Sequence, residues 1–65
     1  MASDYYRDLT RLLREAGCEF RRQGKGSHEV WYSPITERMF TVPRPTKRRE
    51  TANNALKDAG LPKAL

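Results

Sequence analysis

The stretch that decides the fold is residues 18–32, which read CEFRRQ, GKGS and HEVWY. Residues 18–23 alternate apolar and polar side chains, and this period of two predicts a half-buried strand. Two glycines within three positions make residues 24–27 a loop. Residues 28–32 are rich in β-branched and aromatic side chains, which favour a second strand. Because the connection is short, the two strands are predicted to pair antiparallel.

The flanking sequence predicts a third strand and two helices. Residues 38–42 continue the β pattern after a turn at 33–37. Residues 3–16 place their apolar side chains in one helical sector, with Ser3 as N-cap and Gly17 at the end. Thr51 is predicted to cap a second helix that Gly60 closes. The predicted class is α+β, in the order α-β-β-β-α, with a three-stranded antiparallel sheet and both helices on one face.

Length and charge limit the functions open to the chain. Its 65 residues allow a single domain, 1–65, and exclude multi-domain enzymes and dinucleotide-binding units. Thirteen Lys and Arg against eight Asp and Glu leave a net charge of +5, which indicates a polyanionic partner, nucleic acid before anionic membrane. No apolar run approaches the ~18 residues of a membrane span. The single cysteine, Cys18, is predicted to be buried in a protein of the reducing cytoplasm.

His28 is the one histidine, and it stands where the glycine loop becomes a strand. An imidazole with a pKa near ~6.5 exchanges protons at neutral pH. Beside a phosphodiester it can accept the proton of a ribose 2′-OH or donate one to the 5′ oxygen. The alternative is a surface histidine in a glycine hairpin that has no role.

Several residues near His28 are candidate phosphate contacts. Gly26 lets a phosphate approach the backbone closely, Ser27 offers a hydroxyl, and Lys25 supplies a positive charge. The connector at 44–49 holds four cations, of which Arg44 and Lys47 are the predicted RNA contacts. The same charge run is also compatible with a solvated loop. One His, one Cys and scattered carboxylates do not supply the ligands of a tetrahedral or octahedral metal site, so neither metal nor cofactor is predicted.

Each aromatic side chain near the predicted site can either pack in the core or be exposed to RNA. Tyr5 and Tyr6 belong to the apolar sector of the first helix and are predicted to be core residues. Trp31 or Tyr32 can stack a base if it is exposed. Strand alternation puts Trp31 on one face of the sheet and Tyr32 on the other, but a one-residue slip in register reverses the two faces.

Three segments together resemble the HicA mRNA-interferase toxins. They are residues 24–31 (GKGSHEVW), residues 41–43 (TVP) and residues 55–61 (ALKDAGL). The resemblance covers nearly the whole chain, and its specific part is the Gly-Ser-His element before an aromatic strand. It implies a fold similar to a double-stranded-RNA-binding domain, metal-independent cleavage of mRNA, and neutralisation by a HicB antitoxin. By resemblance, the catalytic histidine of the family falls on His28.

One region departs from the family pattern. Members often carry a second histidine and a Lys-Glu element after the Val-Pro, whereas this chain reads RPTKRRET at residues 44–51. Any contribution of that second histidine is therefore absent here.

The sequence thus predicts the toxin of a type II toxin–antitoxin pair, active as a stress-response endoribonuclease in the cytoplasm. Its partners are mRNA and a HicB-like antitoxin that masks the His28 loop. Two other classes remain open: a non-catalytic module similar to a double-stranded-RNA-binding domain, and a small protein-interaction subunit.

Overall fold

The computed structural model describes residues 4–65, and their elements follow the predicted order α-β-β-β-α. Helix α1 spans Tyr6–Glu15 and helix α2 spans Arg49–Asp58. Strands β1 (Glu19–Gln23), β2 (His28–Ser33) and β3 (Arg38–Pro43) form one antiparallel sheet in the order β1-β2-β3. Neither helix of the described chain has the length and apolar composition that crossing a membrane requires. The predicted fold class is confirmed, and the architecture is consistent with a fold similar to a double-stranded-RNA-binding domain.

One hydrophobic core lies between the two helices and the inner face of the sheet. Trp31, Phe40 and Val42 define that face, and each is at most 7% exposed. Both helices contribute to the same cluster, so they lie on one face of the sheet, as predicted. Cys18 is buried just before β1, also as predicted. The helix side chains of the core are Leu9, Leu13, Ala52, Ala55 and Leu56.

The strand register resolves which face Trp31 takes. Trp31 pairs with Phe20 of β1 and Phe40 of β3, and it contacts the Phe20 ring edge-on at 6.2 Å between ring centroids. Its own side chain is fully buried. Tyr32, the next residue, therefore points to the opposite, outer face and is half-buried there.

The helix starts differ from those predicted. Ser3 lies outside the described residues, and Asp4 accepts the Tyr6 backbone N–H on its carboxylate at 3.0 Å. Helix α2 begins at Arg49, three residues before the start that a cap at Thr51 predicts, so Thr51 lies inside its first turn and does not cap it. The reason is tertiary: Thr46 is buried, and its backbone bonds to Asp4 and Tyr5 hold the connector immediately before the helix.

Strand β1 also differs from its prediction. All five of its residues are exposed, whereas the alternation predicted a half-buried strand. The strand is an edge of the sheet, and its pairing with β2 is interrupted by a register shift between Phe20 and Arg22. The bulge and the edge position together leave even Phe20 about half exposed, at 47%.

Candidate functional site

The glycine loop presents His28 at the start of β2. The Gly24 N–H donates to the His28 carbonyl at 2.8 Å, and the His28 N–H donates to the Lys25 carbonyl at 3.2 Å. The Gln23 side-chain amide closes the loop by donating to the carbonyls of Gly26 and His28 at 3.2 and 3.1 Å. A Cβ at Gly24 would lie 2.9 Å from the His28 carbonyl oxygen. Glycine is therefore required there for the chain to return so closely on itself.

The His28 side chain is exposed at the edge of a shallow depression. The depression has a volume of about 210 Å³ and lies between the sheet and α2. His28, Thr41 and Pro43 line its sheet side, and Pro43 is the register partner of His28. The α2 side consists of Thr51, Asn54, Ala55 and Asp58. A ligand held in this depression would thus be within reach of the imidazole.

The connector after β3 returns to the glycine loop through Arg44. The Arg44 backbone N–H donates to the Ser27 carbonyl at 3.0 Å. The Arg44 guanidinium lies 4.8 Å from the centre of the Tyr6 ring and 3.7 Å from a carboxylate oxygen of Glu29. Lys25, Gly26, Ser27, Arg44 and His28 are all exposed and belong to this one end of the sheet.

Glu29 is the site neighbour that sequence reasoning missed. It is only 4% exposed, and its carboxylate accepts hydrogen bonds from the Tyr6 hydroxyl and the Trp31 indole N–H, both at 2.9 Å. Arg44 supplies the nearby positive charge. The sequence did contain a signal for it. The strand period of two places Glu29 on the same face as Trp31, and a carboxylate on the buried face of a sheet needs hydrogen-bond or charged partners.

Tyr6 is affected by the same cluster. Burial is the largest reason why the pKa of Tyr6 lies above its ordinary value of 10.0. The hydrogen bond to Glu29 and the negative charge of Glu29 raise this pKa further, whereas Arg44 and Arg14 lower it. Tyr6 was predicted as a core residue; it is half-buried and packs against the core, and its hydroxyl has a polar role that was not predicted.

Lys47 does not join the other predicted contacts. It lines a separate depression with Tyr5 and residues 48–50. Thr46 stands between Arg44 and Lys47, is fully buried, and bonds its hydroxyl to the Pro43 carbonyl. Buried Thr46 therefore fixes the middle of the connector, and Arg44 and Lys47 on its two sides have different neighbours. Apart from Thr46, residues 44–49 are exposed, so the cations of this segment are solvated, as the alternative from sequence has it.

The α2 residues beside His28 were also not predicted as site neighbours. Thr51, Asn54 and Asp58 are more than twenty positions away in the sequence and carry no pattern that links them to the loop. Among residues 4–65, no three His, Cys, Asp or Glu side chains are grouped closely enough to hold a metal ion.

Together, these features define a class: a small basic α-β-β-β-α domain with an exposed histidine after a glycine loop. The family model described as "HicA toxin of bacterial toxin-antitoxin" matches residues 6–61 of the 65-residue chain, which include every helix and strand. The chain therefore belongs to the HicA toxin family, as the resemblance predicted. It is a toxin of a toxin–antitoxin system, and an antitoxin is its partner. No curated protein and no solved structure matches the chain.

Proposed function

We propose that this toxin is an endoribonuclease that cleaves mRNA in the cytoplasm, with His28 as its general acid or base. The observation that carries the proposal is the exposed His28 side chain at the edge of a depression, next to a glycine loop and to Arg44. A histidine with a structural role is usually buried and hydrogen-bonded, and His28 is neither buried nor engaged through its ring in a hydrogen bond within residues 4–65.

The proposed reaction is an internal transfer at phosphorus. The ribose 2′ oxygen bonds to phosphorus, and the bond between phosphorus and the 5′ oxygen breaks. The products are a 2′,3′-cyclic phosphate on one fragment and a 5′-hydroxyl on the other. His28 serves one of the two proton transfers, either from the 2′-OH or to the departing 5′ oxygen. No metal ion takes part in this scheme.

The charges beside His28 support a phosphate at this position. Lys25 precedes it in the loop, and Arg44 is tied to the loop through the Ser27 carbonyl. Both side chains are exposed cations that can stabilise the additional negative charge of the transition state. A Cβ built at Gly26 would meet nothing within 4 Å, so the loop leaves open space for a phosphate there. Lys47 faces another depression, so we assign it a phosphate contact farther along the RNA.

The test compares wild-type protein with His28→Ala on a long mRNA in the presence of a metal chelator. We expect the wild type to produce fragments ending in a 2′,3′-cyclic phosphate. General acid–base catalysis typically contributes about 10²–10⁴-fold, so His28→Ala should lose at least about 99% of the rate. Lys63→Ala, an exposed cation outside the site, serves as the control for charge.

Two outcomes would contradict this proposal. Cleavage retained in His28→Ala would show that the imidazole is not the proton-transfer group. A wild-type protein that shifts the RNA in a gel but leaves it intact would favour the non-catalytic binding module. Far-UV circular dichroism on each variant separates loss of activity from loss of fold.

We also propose that a HicB-like antitoxin inhibits by covering the His28 loop. A basic toxin of this size gains stability from a partner that binds only its folded state. The exposed residues 25–28 and Arg44 form the surface that such a partner must block to exclude RNA. Hydrogen exchange of the amides of residues 24–28 should slow in the complex. Unchanged exchange with full inhibition would exclude direct masking.

A further inference from the structure

The outer face of the sheet is the side opposite the hydrophobic core. Val30 and Tyr32 of β2 lie on the outer face. Residues that pair across neighbouring strands share a face, so the β1 and β3 partners of these two residues lie there as well. Arg21 joins them from the bulge, since its guanidinium lies 4.8 Å from the centre of the Tyr32 ring. These residues are exposed or half-buried. The outer face consists of Glu19, Arg21, Arg22, His28, Val30, Tyr32, Met39, Thr41 and Pro43.

This face is continuous with the depression beside His28. Thr41 lines that depression, and Thr41 is also the register partner of Val30. Val30 in turn lies between His28 and Tyr32 on β2. Tyr32 follows His28 by four strand residues, which corresponds to about 13 Å at ~3.3 Å per residue. A chain of nucleotides with one phosphodiester at His28 can therefore extend over Tyr32.

The charge of the outer face suits a polyanion. The face carries two arginines, Arg21 and Arg22, and one carboxylate, that of Glu19. The Glu19 carboxylate lies 3.9 Å from the Arg21 guanidinium, and both side chains are exposed. An exposed ion pair of this length contributes little and is easily exchanged for a phosphate contact. The face thus offers two arginines beside an aromatic ring, a combination that serves both phosphates and bases.

Stacking on this face requires bases that are not paired. A double-stranded RNA presents its phosphates and 2′-hydroxyls, while its bases remain stacked inside the helix. Unpaired bases can stack on Tyr32 or on the guanidinium plane of Arg21. We propose that the outer face around Tyr32 and Arg21 binds single-stranded nucleotides next to the phosphodiester at His28. This inference rests on the proposed function, because it identifies the form of RNA that the site accepts.

The experiment measures RNA binding without cleavage, in full-length protein carrying His28→Ala. Fluorescence anisotropy compares an unstructured oligoribonucleotide of about 12 nucleotides with the same strand in a duplex. We expect the single strand to bind at least about tenfold more tightly. Adding Tyr32→Ala should weaken single-strand binding by roughly 5- to 150-fold, and adding Tyr32→Phe should change it less than about threefold.

Matched variants separate stacking from charge and from fold. Arg21→Gln should weaken single-strand binding more than Lys63→Gln, because both remove one exposed charge but only Arg21 lies on Tyr32. If Tyr32→Ala does not fold, the pair Arg21→Gln and Lys63→Gln still decides the question, since neither side chain is buried.

Three results would overturn the inference. The first is duplex binding as tight as single-strand binding, and the second is equal affinity in the Tyr32→Ala and Tyr32→Phe proteins. The third is that Tyr32→Ala spares RNA affinity but abolishes antitoxin binding, which would assign the face to that protein. Wild-type cleavage is measured in parallel: a wild type that cleaves while any of these results holds leaves the proposed function intact.

Discussion

Replacing Tyr6 with phenylalanine tests the buried cluster that underlies the site. The Tyr6 hydroxyl lies 2.9 Å from both carboxylate oxygens of Glu29, and Glu29 is only 4% exposed. Tyr6→Phe removes this donor and leaves the Trp31 indole and Arg44 as the remaining partners of the carboxylate. A hydrogen bond to a charged group contributes about 1.5–3 kcal/mol. We therefore expect the free energy of unfolding to fall by about 2 kcal/mol.

That loss is large for a chain of this length. A domain of 65 residues typically has a total stability of about 3–10 kcal/mol. A loss of about 2 kcal/mol should lower the thermal midpoint by roughly 8–16 °C. Urea and thermal unfolding followed by circular dichroism measure both quantities. Tyr5→Phe is the matched control, because within residues 4–65 the Tyr5 hydroxyl makes no hydrogen bond and its loss should cost less than about 0.5 kcal/mol.

The same substitution has a signature at alkaline pH. Burial first, and then Glu29, hold the pKa of Tyr6 above 10.0 in the folded protein. Between pH 10 and the folded pKa, the folded state binds the tyrosine proton and the unfolded state releases it. Stability from Tyr6 is therefore complete below pH 10 and is lost as the pH rises through the folded pKa. Tyr6→Phe should reduce this alkaline loss.

The reasoning would be refuted by either of two measurements. One is a Tyr6→Phe protein as stable as Tyr5→Phe at neutral pH. The other is an alkaline loss of stability in Tyr6→Phe equal to that of the wild type. The first would mean that the carboxylate of Glu29 gains nothing from the hydroxyl, and the second that Tyr6 has the same pKa in both states.

Three further predictions concern the loop, the connector and the core. Gly24→Ala should destabilise the fold by about 1–3 kcal/mol in urea unfolding, because its Cβ would lie 2.9 Å from the His28 carbonyl oxygen; an unchanged midpoint would contradict the close approach. Arg44→Gln should reduce the salt dependence of RNA binding by about one unit of slope, and an unchanged slope would exclude a phosphate contact. Leu13→Ala, at a fully buried position, should cost about 2–5 kcal/mol, and a loss below 1 kcal/mol would argue against the core described.

The elements of this protein were predictable because their signals are local. The β-branched and aromatic side chains of residues 28–32 predict β2, and the apolar sector of residues 3–16 predicts α1. Element boundaries were less predictable where a distant contact sets them. Helix α2 begins at Arg49, and not after Thr51, because Thr46 is anchored to Asp4 and Tyr5 at the other end of the chain.

The candidate site divides in the same way. The sequence proposed the residues of the glycine loop and His28 as candidates, because they are contiguous and the family resemblance falls on them, and their role stays a prediction. Glu29 was not identified, although it directly follows His28. Its importance comes from Tyr6 and Arg44, which meet it from two other parts of the chain.

The sequence by itself determined the order of helices and strands, the basic charge, the family and the place of the single histidine after the glycine loop. Only the tertiary structure decided that Trp31 points to the core and Tyr32 to the outer face, since a strand's period is the same for either register. It also decided that α2 borders the His28 depression and that Lys47 lies apart from it. The physical reason is that periodicity and charge are properties of neighbouring residues, whereas a face or a depression exists only when distant segments pack together.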